Sequence, residues 1–96
     1  MEVDWNGAKN LANQAKHGVS FEEAAQLFHS GTDYLEIFDD AHSTDEERFI
    51  AIGSIRRGMV VVAWTEREEH VVRIISARWA TRRERAAYEL YWKEGR

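Results

Sequence analysis

Residues 48–78 read RFIAIGSIRRGMVVVAWTEREEHVVRIISAR, and their pattern decides the fold. Three runs within the stretch, Arg48–Ser54, Met59–Glu66 and Val71–Arg78, are rich in β-branched and aromatic residues, which fit a pleated, half-buried surface. Only short turns separate them: Arg57-Gly58 suits the first, and Arg67-Glu68-Glu69-His70 forms the second. Strands so close in sequence join as hairpins, so the stretch predicts an antiparallel meander.

Upstream, Tyr34–Phe38 reads as a further strand, and the polar, acidic residues 39–47 read as a loop. Val3–Trp5 fits a short strand closed by the turn-forming pair Asn6-Gly7. Ala8, Leu11, Ala12 and Ala15 then fall at i, i+3, i+4 and i+7, the spacing of one buried helical face. Asn6 is the expected N-cap of that helix and Gly18 its left-handed stop, with Lys16 and His17 at the negative end of the dipole. Ser20 and Glu23 form a capping box for a second helix, whose buried face is Phe21, Ala24, Ala25 and Phe28 and whose end lies near residues 29–31. Downstream, Thr81 and Glu84 form another capping box, so the last strand runs almost directly into a helix reaching about Lys93. In that helix Ala87, Tyr88 and Tyr91 can face the sheet, with Arg82, Arg85, Glu89 and Lys93 on the wet side. The expected architecture is α+β, a single domain over residues 1–96 with an antiparallel sheet, two N-terminal helices and one C-terminal helix.

Composition narrows the function classes. Apolar residues make up 44% of the 96 and charged residues 31%, a globular balance. No run approaches the ~20 apolar residues of a membrane span. The opening Met1-Glu2-Val3-Asp4-Trp5 lacks the basic and apolar regions of a signal peptide. Zero cysteines exclude disulfides, thiolate zinc sites and cysteine nucleophiles, and fit a reducing cytoplasm. The net charge of −4 is unevenly spread. Residues 1–72 hold six Lys/Arg and fourteen Asp/Glu, a net of −8, whereas residues 73–96 hold seven and three, a net of +4. A basic segment on an acidic body can still meet a polyanion, because binding follows the local field.

The basic segment Arg73–Arg85 reads RIISARWATRRER. In a regular strand Arg73 and Arg78 point to opposite faces; a bulge would bring them together. Arg82, Arg83 and Arg85 sit in the first turn of the next helix, where cations oppose the macrodipole but a phosphate would be welcome. Pairing with the acidic body is the ordinary alternative. An exposed Trp79 beside them would stack on an unpaired base, while a buried one is core. Lys16-His17 offers a cation and a group that titrates near neutrality, although Lys, His and Gly are also what a helix C-terminus uses for capping. The acidic loop of Asp39, Asp40, His42, Asp45, Glu46 and Glu47 lacks the pattern of a calcium loop and reads as solvated. No glycine-rich phosphate loop and no GxSxG elbow is present.

These landmarks together resemble the BrnT family of bacterial toxins, whose fold is similar to that of RelE ribonucleases. The resemblance rests on Trp5, Lys9-Asn10 and Asn13, then on Lys16-His17-Gly18-Val19-Ser20-Phe21-Glu22-Glu23-Ala24. It continues through Glu47-Arg48, Gly53, Thr65-Glu66-Arg67 and Arg73-Ile74-Ile75-Ser76-Ala77-Arg78, and ends with Ala80-Thr81, Glu84-Arg85 and Tyr88. It implies a RelE-like fold and a cytoplasmic endoribonuclease toxin of a type II toxin–antitoxin pair that inhibits translation and growth. It also implies a BrnA-like antitoxin of the ribbon-helix-helix class, through which the complex would meet operator DNA.

The expected chemistry is metal- and cofactor-independent attack of a ribose 2′-hydroxyl on its own phosphodiester. Arg48 and Arg78 are candidates for phosphate stabilisation, Lys16 and His17 for charge stabilisation and proton transfer, with Tyr88 or Glu66 as substitute bases. Arg73, Trp79, Arg82 and Arg83 are candidates for gripping RNA. The alternative is a non-catalytic module that binds RNA or a protein through the basic C-terminal segment.

Overall fold

The computed structural model describes residues 2–29, 33–68 and 70–94; Ser30-Gly31, where the second helix was expected to end, and Glu69 of the second turn lie outside them. Five strands and four helices follow in the order β1 (Glu2–Trp5), α1 (Gly7–His17), α2 (Phe21–Ala24), α3 (Gln26–His29), β2 (Tyr34–Phe38), β3 (Arg48–Ile55), β4 (Gly58–Arg67), β5 (Val71–Trp79) and α4 (Arg82–Glu94). A short 3₁₀ turn, Asp40–His42, sits in the acidic loop. The α+β class and the meander β2-β3-β4-β5 are as expected. The sheet is mixed, however: its order is β1-β5-β4-β3-β2, and β1 runs parallel to β5. The second helix also breaks at Ala25, where Phe28 N–H bonds the Ala25 carbonyl three residues back and tightens the chain.

One face of the sheet buries the main core, Phe21, Leu27, Val60, Val62, Trp64 and Ile74 among it, beneath α2 and α3. On the other face Leu35, Ile52 and Val61 pack beneath Tyr88 of α4. Tyr88 and Trp92 are half-buried, Ala87 is exposed and Tyr91 is 43% exposed, so α4 covers this face only in part. Among the described residues no helix is long and apolar enough to cross a membrane.

The largest departure from expectation is α1. Its ends are as read: Asn6 Oδ1 accepts from Lys9 N–H at 2.9 Å, and Gly18 turns left-handed at φ 72°. Its buried residues, however, are Asn10 and Asn13, while Ala8, Ala12 and Ala15 are exposed and Leu11 is 70% exposed. The cause is the sheet edge. The β1 pairing stops at Trp5↔Ile74, so the rest of β5 has no strand beside it on that side. Asn13 takes the strand's place: Nδ2 donates to the Ala77 carbonyl at 2.8 Å and Oδ1 accepts from Ala77 N–H at 3.2 Å. The same Nδ2 donates to the Val19 carbonyl at 3.0 Å. Asn10 ties the helix to α2, accepting from Phe21 N–H at 2.8 Å and donating to Glu22 at 2.8 Å. An aliphatic face could not satisfy these buried backbone groups.

Candidate nucleic-acid interface

The β4–β5 ladder carries a bulge that positions the site. Ala63 pairs with Ser76 but Trp64 pairs with Ile74, leaving Ile75 as an extra residue on β5. The extra residue shifts the alternation, so Arg73 and Arg78 lie on the same face. In a regular strand five residues apart they would lie on opposite ones.

Arg48, Thr65 and Arg73 are successive cross-strand partners and form one row on that face. Row neighbours sit one strand spacing apart, so Arg48 and Arg73 flank Thr65 at roughly 10 Å between Cα atoms. The row floors a pocket of about 110 Å³. Asn6 and Lys9, from the start of α1, and Arg67, from the end of β4, complete its polar wall. Glu46 and Ile75 close the remaining sides. Four cationic side chains and one carboxylate thus line one concavity beside the positive end of α1, an arrangement that attracts anionic oxygen.

Local bonds hold the backbone of Arg48 and the side chains of Thr65 and Arg73. Thr65 is 2% exposed and its hydroxyl donates to the Glu47 carbonyl at 2.6 Å, so it is occupied in holding the loop. Arg48 N–H bonds the Ser43 hydroxyl at 2.9 Å, and the Arg48 carbonyl accepts from Asp39 N–H at 2.8 Å. Arg73 donates to Asp4 at 3.3 Å, a partly solvated pair that leaves most of its guanidinium donors open.

The other sequence-predicted residues gather at the far end of β5. Arg78 is four residues along and two strands over from Arg48, roughly 16 Å between Cα atoms, and it does not line the pocket. Its guanidinium is clamped by Glu84 in a bidentate pair at 2.8 and 2.7 Å. That pair, strengthened by Thr81 N–H, holds the Glu84 carboxyl down at about 2 and raises Arg78 further. Arg82 and Arg83 are exposed at the start of α4. Trp79 lies on the opposite face, half-buried against the main core, with the Arg57 guanidinium 5.1 Å above its ring. A base cannot stack on that covered face without displacing Arg57. Lys16 is exposed and His17 half-buried at the end of α1. His17 is one turn beyond Asn13 on the same helical face, which sets it beside the exit of β5. A Cβ on the neighbouring Gly18 would come 3.9 Å from Trp79 Nε1.

Of the predicted set, then, Arg48 and Arg73 meet at one pocket, and Lys16, His17, Arg78, Trp79, Arg82 and Arg83 collect at the other end of the strand. Of the substitute bases, Glu66 accepts from His70 N–H at the β4–β5 turn, and Tyr88 packs from α4 onto the sheet with its hydroxyl donating to the Asp33 carbonyl. Sequence reasoning missed Lys9 and Arg67; Glu46 is the exposed loop residue expected, but its place on the pocket lining was not foreseen. Both cations stand in the short blocks that carry the family resemblance, which was their only signal. Among the described residues no group of three His, Asp or Glu side chains converges as a metal site.

The family model described as "Ribonuclease toxin, BrnT, of type II toxin-antitoxin system" matches residues 5–84, which span the pocket and the far end of β5 alike. The 1.1 Å crystal structure of the Brucella abortus ribonuclease toxin BrnT is similar with a TM-score of 0.63 and 24% identity, over 85% of this chain and 99% of that one. No curated protein matches. With the model covering every strand of the meander and all the pocket's cations, the chain belongs to the BrnT family of type II toxin–antitoxin ribonuclease toxins.

Proposed function

We propose that the protein is a metal-independent endoribonuclease that binds the scissile phosphate in the pocket between α1, β4 and β5. The observation that carries this reading is the convergence of Lys9, Arg48, Arg67 and Arg73 on one concavity. A phosphodiester passing to a five-coordinate transition state gains negative charge on its equatorial oxygens, and fixed cations stabilise that charge more than the ground state. Attack by the adjacent 2′-hydroxyl needs no external nucleophile and yields a 2′,3′-cyclic phosphate and a 5′-hydroxyl end. Arg48 and Arg73 contact the phosphate. Lys16, His17, Arg82 and Arg83 extend the basic track for flanking RNA, with Arg78 held in place by Glu84 and Trp79 supporting the strand exit from the covered face. The architecture is read as RelE-like, the site of action as the cytoplasm, and growth arrest as the consequence of cutting translated RNA. A ribbon-helix-helix antitoxin of the BrnA kind neutralises the toxin and carries the complex to operator DNA.

The test is a gel assay on structured and unstructured RNA in excess EDTA, with identically prepared Arg73→Ala and Arg78→Ala proteins. The reading expects cleavage that Arg73→Ala loses by about 100-fold or more and Arg78→Ala loses less. Binding without cleavage favours a non-catalytic RNA module, and equal cleavage by all three proteins means a contaminating nuclease.

A further inference from the structure

A metal-free transphosphorylation requires a group to take the 2′-hydroxyl proton, and the pocket narrows the choice. An arginine is too basic for this task, with a pKa beyond ~12. Thr65 is buried and its hydroxyl already donates to the Glu47 carbonyl. His17 sits eight residues along α1 from the pocket's Lys9, roughly 12 Å at the rise of a helix, and a general base must come within hydrogen-bond reach. Asn6 lines the pocket too, but its amide oxygen already accepts from Lys9 N–H and is not basic; the lining carboxylate that can take a proton is Glu46.

The loop that carries Glu46 is anchored on both sides. The Ser43 hydroxyl donates to the Asp39 carbonyl at 2.7 Å and accepts from Arg48 N–H at 2.9 Å. On the other side the Glu47 carbonyl is held by buried Thr65 at 2.6 Å. Glu46 is therefore set at the pocket mouth by bonds that reach the same row as Arg48 and Arg73. A carboxylate beside four cations weakens anion binding, and this cost makes sense where the carboxylate has a task of its own.

We propose that Glu46 is the general base of the cleavage reaction, an assignment that rests on the ribonuclease reading above. As the O2′–P bond forms, the 2′-hydroxyl proton passes to a Glu46 carboxylate oxygen. The P–O5′ bond breaks with its electron pair on O5′, which takes a proton from the Lys9 ammonium. Proton exchange with water then restores both groups, so no oxidant, metal or co-reactant enters.

The experiment measures kcat and RNA affinity in EDTA for the wild-type protein, Glu46→Gln, Glu46→Asp, Asp45→Asn and Arg73→Ala, each first checked for folding by thermal melting. Glu46→Gln is expected to lower kcat by about 100-fold or more, with RNA affinity unchanged or tighter. Glu46→Asp, which keeps the charge but withdraws it by one methylene, is expected to fall between, and it decides the matter if the glutamine variant does not fold. Asp45→Asn is expected to match wild type. If Glu46→Gln cleaves within about threefold of wild type while Arg73→Ala is inactive, the base assignment is wrong and the ribonuclease reading stands. If the wild type does not cleave, or Arg73→Ala cleaves as well as it does, both fall.

Discussion

Replacing Asn13 by alanine tests the unusual way in which α1 is docked. The change removes three hydrogen bonds, to the carbonyls of Val19 and Ala77 and from Ala77 N–H. Val19 and Ala77 are 1% and 0% exposed, so the groups left behind cannot simply turn to solvent. An orphaned buried polar group costs about 1–3 kcal/mol, and allowing for relaxation and one admitted water the three together cost about 3–5 kcal/mol. A domain of this length has about 5–14 kcal/mol of stability in all, so roughly a fifth of it or more is lost. Thermal unfolding should fall by at least ~12 °C, at the ~4 °C per kcal/mol expected of so small a domain. Leu11→Asp is the paired control. Periodicity places Leu11 in a buried stripe where a charge would be ruinous, but at 70% exposure the change should cost no more than about 0.5 kcal/mol. Asn13→Asp adds a sign. It keeps an acceptor for Ala77 N–H but sets a carboxylate against two carbonyl oxygens, which raises its pKa in the folded state. Folding then favours the protonated form, and the variant gains stability relative to wild type as pH falls from neutral. Urea titrations monitored by tryptophan fluorescence measure all three. A cost for Asn13→Ala below about 1 kcal/mol, or one smaller than that of Leu11→Asp, would refute the edge-capping argument.

Two further outcomes follow from local geometry. A Cβ at Gly53 would lie 2.9 Å from both Leu27 Cδ2 and Tyr34 Cβ, so Gly53→Ala should destabilise by about 1–3 kcal/mol through overpacking, measured by thermal melting. Glu84 and Glu23 are held at about 2 against 4.5 by Arg78 and Arg57. Because their folded pKa values are depressed, this stabilisation is full above pH ~5 and lost as pH falls towards ~2. Discounted for Arg78 at 42% exposure, the Glu84 share is about 1 kcal/mol. Glu84→Gln should therefore flatten the acid limb of a stability–pH curve by that amount and leave the remainder to Glu23.

Much of the fold was legible because strands and caps are local. Val60, Val61 and Val62 in a run, turn residues at Arg57-Gly58, and the two capping boxes each carry their meaning within a few residues. The meander followed from them directly. What failed was α1, whose Ala8-Leu11-Ala12-Ala15 stripe is regular and yet faces water. Helical periodicity reports a buried face only when the neighbour is apolar. Here the neighbour is the unpaired backbone edge of β5, and the residues suited to it are asparagines. Nothing local to residues 7–17 reveals that β1 will end at Trp5 and leave that edge open. The parallel pairing of β1 escaped for the same reason, since it joins residues about seventy positions apart.

The site was hidden by two features that act together. Charge along the chain singles out residues 73–96, but three of the four pocket cations, Lys9, Arg48 and Arg67, come from the acidic remainder. They are half of the six Lys/Arg present there, brought into one concavity by strand order and by the course of α1. Arg73 joins that concavity, and Arg78 shares its face, because Ile75 is one residue more than the β4 partner strand can match. Without the bulge, any register that kept Ile74 in the main core would send Arg78 into that core beside Val60 and Val62, where an unpaired guanidinium is untenable. Any register that kept Arg78 out would turn Ile74 to solvent. The bulge satisfies the apolar side chains on one face and the arginines on the other. It therefore couples core formation to the assembly of the basic face, and a sequence that folds this core places its cations without further instruction.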